Sequence, residues 1–560
     1  MDRIRILDTD VLVLGCGPAG LLAALEAKKS GCRVLAMDKG IIGKECSAIS
    51  AEQLAATGSW SLEGDNPQIH YDDTLRSGCY INNEKLVSLL VKKAGPIIQV
   101  LQELGMPFER DDSGENIAIA GNAPGHSKAR SLFFGGITGK LIVDTIYAEC
   151  RRRGVRFFSE HRALALIKNE RETAGALIYD LVYGGLMFVR ARAVILATGG
   201  IGYLYELTTN PVQNTGDGIA LALQAGAELM DLEFVQFYPV TVLYPQVLRG
   251  MGLGGYHYGA KLINSKGERF ILKYFPEEKE YLTRDKLSQS IYKEILTGNT
   301  GPHGGIFIDS TMISEEVYAK KLPREWEFAL RAGVNLTQKK LEVAPSAHYH
   351  MGGIRIDEKC CTNIRGLFAA GECTAGVQGA NRLSNNGLTD ALVFGFIAGQ
   401  NAALYAANLQ LPKYQKSYIK DQLYRLKEFS SSVESTEKLK TRIQKIMTQH
   451  TGIVRQKASL EKGIRLLKEI NSINKINTTF GDKWNTKLLM SLSVQNMLLV
   501  GQAIALAALQ RKESRGSHYR SDYPDIDNSH WKINLIVKLD EEGKLNISRK
   551  AVVIQEGVKK

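Results

Sequence analysis

Apolar positions open the chain in short blocks. Asp10-Val11-Leu12-Val13-Leu14 is a buried strand, a glycine turn follows, residues 19–29 have helical composition, and residues 32–38 form a second strand. This βαβ opening predicts a parallel sheet with helices on its faces. Amphipathic spacing predicts helices over 83–104 and 138–152. Residues 155–195 read as short strands joined by turns such as Tyr183-Gly184-Gly185, and residues 194–197 as a buried strand running into Thr198-Gly199-Gly200. From about 240 to 345 the pattern turns irregular, rich in Gly, Pro and Tyr, with helical stretches near 285–297 and 314–321. That break predicts an inserted domain. Nucleotide-fold signals resume at residues 366–372, long helices are predicted over 413–428, 433–448, 455–472 and 484–512, and the tail from 531 alternates like a hairpin around Gly543.

Uninterrupted apolar runs, such as residues 11–14 and 193–197, have strand length and fall short of the roughly 20 residues that span a bilayer. Asp2-Arg3-Ile4-Arg5 leads into the first strand without a signal-peptide pattern, so a cytoplasmic protein is expected.

With 560 residues, 44% hydrophobic and 23% charged, the composition suits several globular domains with their own cores. None of the eight cysteines forms a C-x-x-C pair, which argues against a disulfide scaffold and against a zinc or iron–sulfur centre held by this chain alone. No metal site is expected. The net charge of +12 is unevenly placed. From residue 401 onward there are 28 Lys+Arg and 15 Asp+Glu, a net of +13, and the first 400 residues are close to neutral. The basic region is either a solvated face or a docking face for an acidic partner or an anionic membrane surface. No nucleic-acid-binding motif accompanies the charge, so nucleic acid is not an expected partner.

Gly15-Cys16-Gly17-Pro18-Ala19-Gly20 is G-x-G-x-x-G between a strand and a helix. In that context the first glycine makes the tight turn, the second admits a pyrophosphate to backbone N–H groups, and the third lets helix and strand pack closely. Asp38 ends the second strand 18 residues past Gly20, where an acid meets a ribose. With Lys39 beside it, this is a dinucleotide site.

The downstream motifs make the cofactor more specific. Ala197-Thr198-Gly199-Gly200 and residues 366–372, including Gly371 and Glu372, resemble the later FAD-contacting elements of two-dinucleotide-fold flavoproteins. Thr208-Thr209-Asn210, Thr215-Gly216-Asp217-Gly218, residues 231–237, His348-Tyr349-His350-Met351-Gly352-Gly353, Gly379-Ala380-Asn381-Arg382-Leu383 and residues 510–520 follow in order. Over about 500 residues this series resembles the flavoprotein subunit of the succinate dehydrogenase/fumarate reductase family. Gly125-His126-Ser127 with Arg130 is similar to the related L-aspartate oxidase branch.

The resemblance implies an α/β fold: a Rossmann-like FAD-binding domain (1–239 and 346–411), an inserted α+β capping domain (240–345), a C-terminal helical domain (412–530) and a tail (531–560). It implies FAD held by Gly15, Gly17, Pro18, Ala19, Gly20, Asp38, Lys39, Thr198, Gly199, Asp217, Gly371, Glu372, Asn386 and Leu388. Membrane-bound members attach FAD through a histidine in the loop after the second strand. Here Lys44-Glu45-Cys46-Ser47-Ala48-Ile49-Ser50-Ala51 has none, so noncovalent FAD is expected. The usual Gln-Gly-Gly nearby is replaced by Glu52-Gln53-Leu54.

The implied chemistry is hydride transfer between the flavin and a C–C bond adjacent to a carboxylate, with a proton moving at the neighbouring carbon. Arg284 in Thr283-Arg284-Asp285 matches the proton donor, and His348 and Arg382 match the residues that hold one carboxylate; His350 is expected to be structural. The other half of the site departs from the pattern. Gln-Phe-His-Pro of fumarate-type members is Gln236-Phe237-Tyr238-Pro239, and the relay glutamate is absent whether the segment is registered through Tyr256-His257-Tyr258 or through Arg249-Gly250, which leaves Gln246 at that place. Four tyrosines, Tyr238, Tyr244, Tyr256 and Tyr258, are expected to crowd the region. The expected partners are a small carboxylic acid, the inner face of a membrane reached through other proteins, and an iron–sulfur electron-transfer subunit. An L-aspartate oxidase-type activity and a non-enzymatic or tRNA-associated flavoprotein remain as alternatives.

Overall fold

The structure, a computed structural model, describes residues 4–121, 123–169, 172–427, 435–473 and 482–555. Residue 428 of one expected helix, 433–434 of the next and the last five residues of the tail lie outside the described residues.

A seven-stranded sheet organises the molecule. The strand Arg5–Leu14 pairs in parallel with Val34–Met37 on one side and Gly185–Leu196 on the other; Arg156–Phe158 extends the sheet beyond Val34–Met37. Glu172–Asp180 and His161–Asn169 continue antiparallel from Gly185–Leu196, and Leu367–Ala369 returns to it in parallel. Val11, Leu12 and Val13 are fully buried, as a strand covered on both faces requires. The turn after it needs glycine. Gly15 has φ +97°, and a Cβ there would lie 2.3 Å from the Ala197 carbonyl oxygen; a Cβ on Gly20 would lie 1.9 Å from the Gly15 oxygen.

The helix Pro18–Lys29 starts with proline in its first turn and packs against Asn386–Ala407. A Cβ on Gly395 or Gly399 would come within 2.4 Å of the carbonyl oxygen of Ala19 or Ala23, so these glycines set the close approach of the two helices. Nothing in the sequence pattern flags the 22-residue helix Asn386–Ala407. It is apolar on most of its circumference, so the period that marks an amphipathic helix is missing.

The inserted region is built on a second sheet, antiparallel, in the order Val235–Tyr244, Leu341–His350, Ile306–Asp309, Lys261–Ile263. Helices Arg284–Leu296, Glu315–Lys321 and Pro323–Arg331 accompany it. Its core, including Val240, Val242, Phe270, Ile308 and Val343, is a hydrophobic cluster separate from the main one. It forms the cap. The sequence pattern does not resolve the helix Pro323–Arg331, because it follows Glu315–Lys321 with only Leu322 between them.

Helices Lys416–Lys427, Thr436–His450, Lys457–Ile473 and Thr486–Gln510 form the C-terminal region. Among the described residues, Thr486–Gln510 is long and apolar enough to cross a membrane by length and composition. Leu488, Met497 and Ile504 are buried, and the helix packs on Thr436–His450, Lys457–Ile473 and Asp217–Ala225. The tail strands Ile533–Leu539 and Leu545–Ala551 form a hairpin, and the first of them pairs with Leu229–Met230. Buried Arg511 donates to Glu233 at 2.6 Å and to Glu513 at 2.9 Å, which ties the 231–237 motif to the C-terminal one.

Candidate active site

A cavity of about 790 Å³ runs from the glycine turn to the underside of the cap. Gly15, Gly17, Pro18, Ala19, Asp38, Lys39, Thr198, Gly199, Asp217, Gly371, Glu372 and Leu388 all line it. Gly20 does not, and serves only the helix–strand approach. Asn386 is a correction: it is fully buried, outside the lining, and its side chain is spent on His70 at 2.8 Å and Thr74 at 3.0 Å. Its neighbours Asn385 and Gly387 line the cavity instead.

Asp38 accepts the Cys16 N–H at 2.7 Å and the Gly40 N–H at 3.0 Å, so it fixes the turn while facing the cavity. Lys39 Nζ is 2.6 Å from Asp217, which also accepts from Arg162 at 3.0 Å. Burial opposes the charge on Asp217, but Arg162 and Lys39 outweigh it and hold the carboxyl well below the usual range. Burial pushes Glu372 up to about 7; its Oε1 accepts the His350 N–H at 3.1 Å. The glycine cradle and the acid at the strand end, both lining the cavity, fit an FAD. Ser47, in the loop that lacks a histidine, lines the cavity and takes a 2.8 Å hydrogen bond from Asn214.

Arg284, His348, Arg382 and Tyr238 meet where the FAD cavity passes under the cap. Gln236 pins the two arginines. Its Oε1 accepts from Arg284 at 3.2 Å, and its Nε2 donates to the Arg382 carbonyl at 2.9 Å and to Asn381 at 2.8 Å. Arg382 stacks on Tyr349 at 4.7 Å, donates to the Leu383 carbonyl, and keeps a buried Nε without a partner. Burial and the nearby Arg284 push Arg382 down to about 9, the mark of a positive site short of an anion. Among the described residues neither arginine makes an ion pair.

Thr209 hydrogen-bonds His348 Nδ1 at 2.7 Å and Asn210 holds its carbonyl at 2.8 Å, leaving Nε2 for a ligand. Burial, then Arg284 and Arg382, keep this ring neutral. Gln236, Thr209 and Asn210 sit inside the matched motifs, so their motif position was the available signal for them. His350 Nε2 donates to the Leu232 carbonyl, 3.0 Å away, a structural contact.

The far wall is Tyr238, Tyr256, His257, Tyr258, Glu52 and Glu325. Tyr244 is a correction. It is exposed and stacks on His303 with ring centres 4.0 Å apart, because the strand Val235–Tyr244 carries it to the cap's outer end. Gln246 is also exposed and outside the lining, whereas Arg249 lines the cavity and its Nη1 donates to the Leu243 carbonyl at 3.3 Å. His257 Nδ1 is buried without a partner, and burial with Arg284 brings the ring down to about 4. Arg130 and His126 are locked into the wall: Arg130 pairs with Asp65 and Asp73, and His126 reaches the Ser384 carbonyl at 2.7 Å. Among the described residues no group of three or more His, Cys, Asp or Glu is placed to hold a metal.

Residues 10–388 match an FAD binding domain family, and residues 440–559 match the fumarate reductase flavoprotein C-terminal family. The chain is 34% identical to a fumarate reductase (CoM/CoB) chain of Methanothermobacter marburgensis, covering 95% of this chain and 97% of that one. It is 31% identical to the succinate dehydrogenase flavoprotein subunit of Coxiella burnetii, covering 95% and 94%. Its fold superposes on E. coli quinol fumarate reductase FrdA with a TM-score of 0.92 at 28% identity, over 99% and 98% of the two chains.

Proposed function

The chain belongs to the fumarate reductase/succinate dehydrogenase flavoprotein family, FAD-dependent oxidoreductases acting beside a carboxylate, and on that premise we propose an enzyme selective for a monocarboxylic enoate or its saturated counterpart. The carrying observation is the pair of guanidiniums, half-buried Arg284 and buried Arg382, with no carboxylate partner among the described residues and a tyrosine-lined wall opposite them.

FAD supplies the acceptance or donation of hydride when bound. The protein's own residues do the rest. Arg382 and neutral His348 hold one carboxylate, Arg382 through its unpartnered Nε and His348 through Nε2. Arg284, fixed by Gln236 and the Tyr238 ring, exchanges the proton at the carbon next to the one that exchanges hydride. Cap helix Arg284–Leu296 carries this arginine, so closing the cap assembles the site and excludes water. Tyr238 offers a second carboxylate at most one neutral donor, and its hydroxyl is already given to the Leu253 carbonyl at 3.2 Å. Turnover of a panel of enoic and saturated acids with an artificial electron carrier tests this reading.

The His126–Arg130 segment, which resembles L-aspartate oxidase, is spent on buried ion pairs and a backbone carbonyl, so it supports the wall and does not favour amino-acid oxidation. The FAD is noncovalent, and electrons pass through an iron–sulfur subunit docked on the C-terminal helices, the protein lying in the cytoplasm and reaching a membrane only through partners. Exposed Lys438, Lys445, Lys462 and Lys468 supply the basic face. Arg511, Arg515 and Arg520 do not, since all three are buried, Arg511 and Arg515 on Glu513 and Arg520 on Asp522.

A further inference from the structure

Ring contacts lead from the carboxylate clamp to the mouth of the cavity. The centre of the His348 ring lies 5.3 Å from that of Tyr238, and Tyr238 and Tyr256 meet through their hydroxyls. Tyr256 lies 4.0 Å from His257, and His257 meets Tyr281 edge-on at 6.1 Å. All five side chains line the cavity. At the mouth the rings stay uncovered: Tyr258, Tyr281 and Phe328 are 42%, 49% and 55% exposed, although all three belong to the lining. Aromatic side chains gathered in and around the opening of a cavity mark a surface suited to an apolar ligand.

Gly254 fixes two polar side chains of this wall. Its carbonyl accepts the His257 N–H at 2.9 Å, and its own N–H goes to Glu325 Oε1 at 2.6 Å. His257 Nδ1 and Glu325 Oε2 are buried without a partner, and Glu325 as a whole is only 7% exposed. Burial and Arg284 keep the His257 ring neutral, and burial, then Glu52, push the Glu325 carboxyl well above the usual carboxylate range. Of the lining cations on the neighbouring helices, Lys321 is exposed, and Arg324 reaches the Ile49 carbonyl at 3.5 Å and the Ser50 hydroxyl at 3.4 Å. The wall thus offers aromatic faces and hydrogen bonds with little charge.

We propose that this wall is a subsite for the group at the far end of the substrate's double bond, an aromatic ring bearing a neutral hydrogen-bonding substituent such as a hydroxyl, and that His257 is the residue that reads the substituent. This rests on the proposed enoate chemistry and names its substrate class. A β-aryl enoate is flat and extended, with its carboxylate and its ring at opposite ends of the double bond. The run of rings from His348 to Tyr281 has the same order, a carboxylate clamp first and aromatic faces after it. A hydroxyl both donates and accepts, so it suits the acceptor nitrogen of a neutral imidazole and the proton-bearing oxygen of an un-ionised carboxyl. A second carboxylate would meet Glu325 where it needs a cation. A short alkyl group would leave both buried polar atoms unpaired and the rings uncovered.

The test compares kcat/KM of the FAD-loaded protein for crotonate, cinnamate and 4-hydroxycinnamate under one artificial electron carrier. The expected order is 4-hydroxycinnamate over cinnamate by about three- to tenfold, the value of one neutral hydrogen bond, and cinnamate over crotonate by at least about tenfold. His257→Phe keeps a ring against Tyr256 and removes the hydrogen bond, so it should bring the first ratio close to one. Phe328→Ala, a change at an exposed position, should lower the second ratio. Titration of the saturated acids 3-phenylpropanoate and 3-(4-hydroxyphenyl)propanoate against the absorbance of the bound flavin should show the same order of affinity and the same response to His257→Phe. Crotonate turned over as well as both aryl acids, or a 4-hydroxy preference that survives His257→Phe, overturns the subsite and leaves the proposed function standing. Turnover of no acid at all, or a preference for fumarate over all three, overturns the proposed function and the subsite with it.

Discussion

The guanidinium carbon of Arg284 lies 5.2 Å from the centre of the Tyr238 ring. A cap helix thus rests its charge on a residue of the strand that leads into the cap. A cation over an aromatic face contributes about 0.5–2 kcal/mol, so Tyr238 both seats half-buried Arg284 and shapes the far wall. Tyr238→Phe should keep that ring, leave KM close to wild type and lower kcat through loss of the hydroxyl. Tyr238→His should add a donor for a second carboxylate and shift kcat/KM toward dicarboxylates by about one to two orders of magnitude, from roughly 1.5–3 kcal/mol for a hydrogen bond to a charged group. Steady-state kinetics of both variants on matched mono- and dicarboxylates checks this.

Asp217 answers two buried cations, Lys39 at 2.6 Å and Arg162 at 3.0 Å. Removing its charge leaves both unpaired, so Asp217→Asn should cost about 3–5 kcal/mol and weaken FAD retention. Because its folded pKa is depressed, its contribution is present above the unfolded value near 3.8 and is lost as pH falls toward the lower folded value. Thermal unfolding at a series of pH values should therefore show the gap between wild type and variant narrowing below about pH 4.

The first fold elements were legible because their patterns are local. The expectation of a helix over 138–152 meets Thr138–Arg152, and that over 83–104 meets Glu84–Glu103, since each has one apolar face. Asn386–Ala407 was hidden by being buried nearly all round, whereas the helix expected over 484–512 meets Thr486–Gln510. In the site, Arg284, His348 and Arg382 were readable from motif order. Glu325 was not, because its link to the site is a hydrogen bond to Gly254, 71 residues away, and nothing near Leu322-Pro323-Arg324-Glu325 marks it as internal. Asn386 misled because it sits one residue from two lining positions, yet points into the pocket formed by His70 and Thr74.

The loop from Lys44 to Ala51 offers the flavin no histidine, and Ser47 stands at its cavity face. Purified protein should be yellow and should release all its flavin to the supernatant on acid precipitation. Flavin that stays with the pellet and fluoresces on a denaturing gel would mean a covalent link elsewhere.

Exposed lysines on Thr436–His450 and Lys457–Ile473 form a surface that an acidic partner would meet. Affinity for the electron-transfer subunit should fall as salt rises, since contacts between exposed charges are screened within about 10 Å at 0.1 M. Lys462→Glu combined with Lys468→Glu should weaken binding while leaving activity with a small artificial donor intact. Binding insensitive to both salt and charge reversal would place the interface on another face.

The central claim is that Arg382 and His348 hold one carboxylate firmly and that Tyr238 offers no charged donor for a second. It is tested most directly by kcat/KM of the wild type, under one artificial electron carrier, for a series of enoic monocarboxylates beside fumarate and succinate, with Arg382→Ala as control. The expected result is a monocarboxylate preferred over fumarate by at least about tenfold, the factor equivalent to 1.4 kcal/mol, and loss of turnover of every acid in Arg382→Ala. Fumarate or succinate turned over far better than every monocarboxylate would contradict it, and would mean that the wall of Tyr238, Tyr256 and His257 binds a second carboxylate after all.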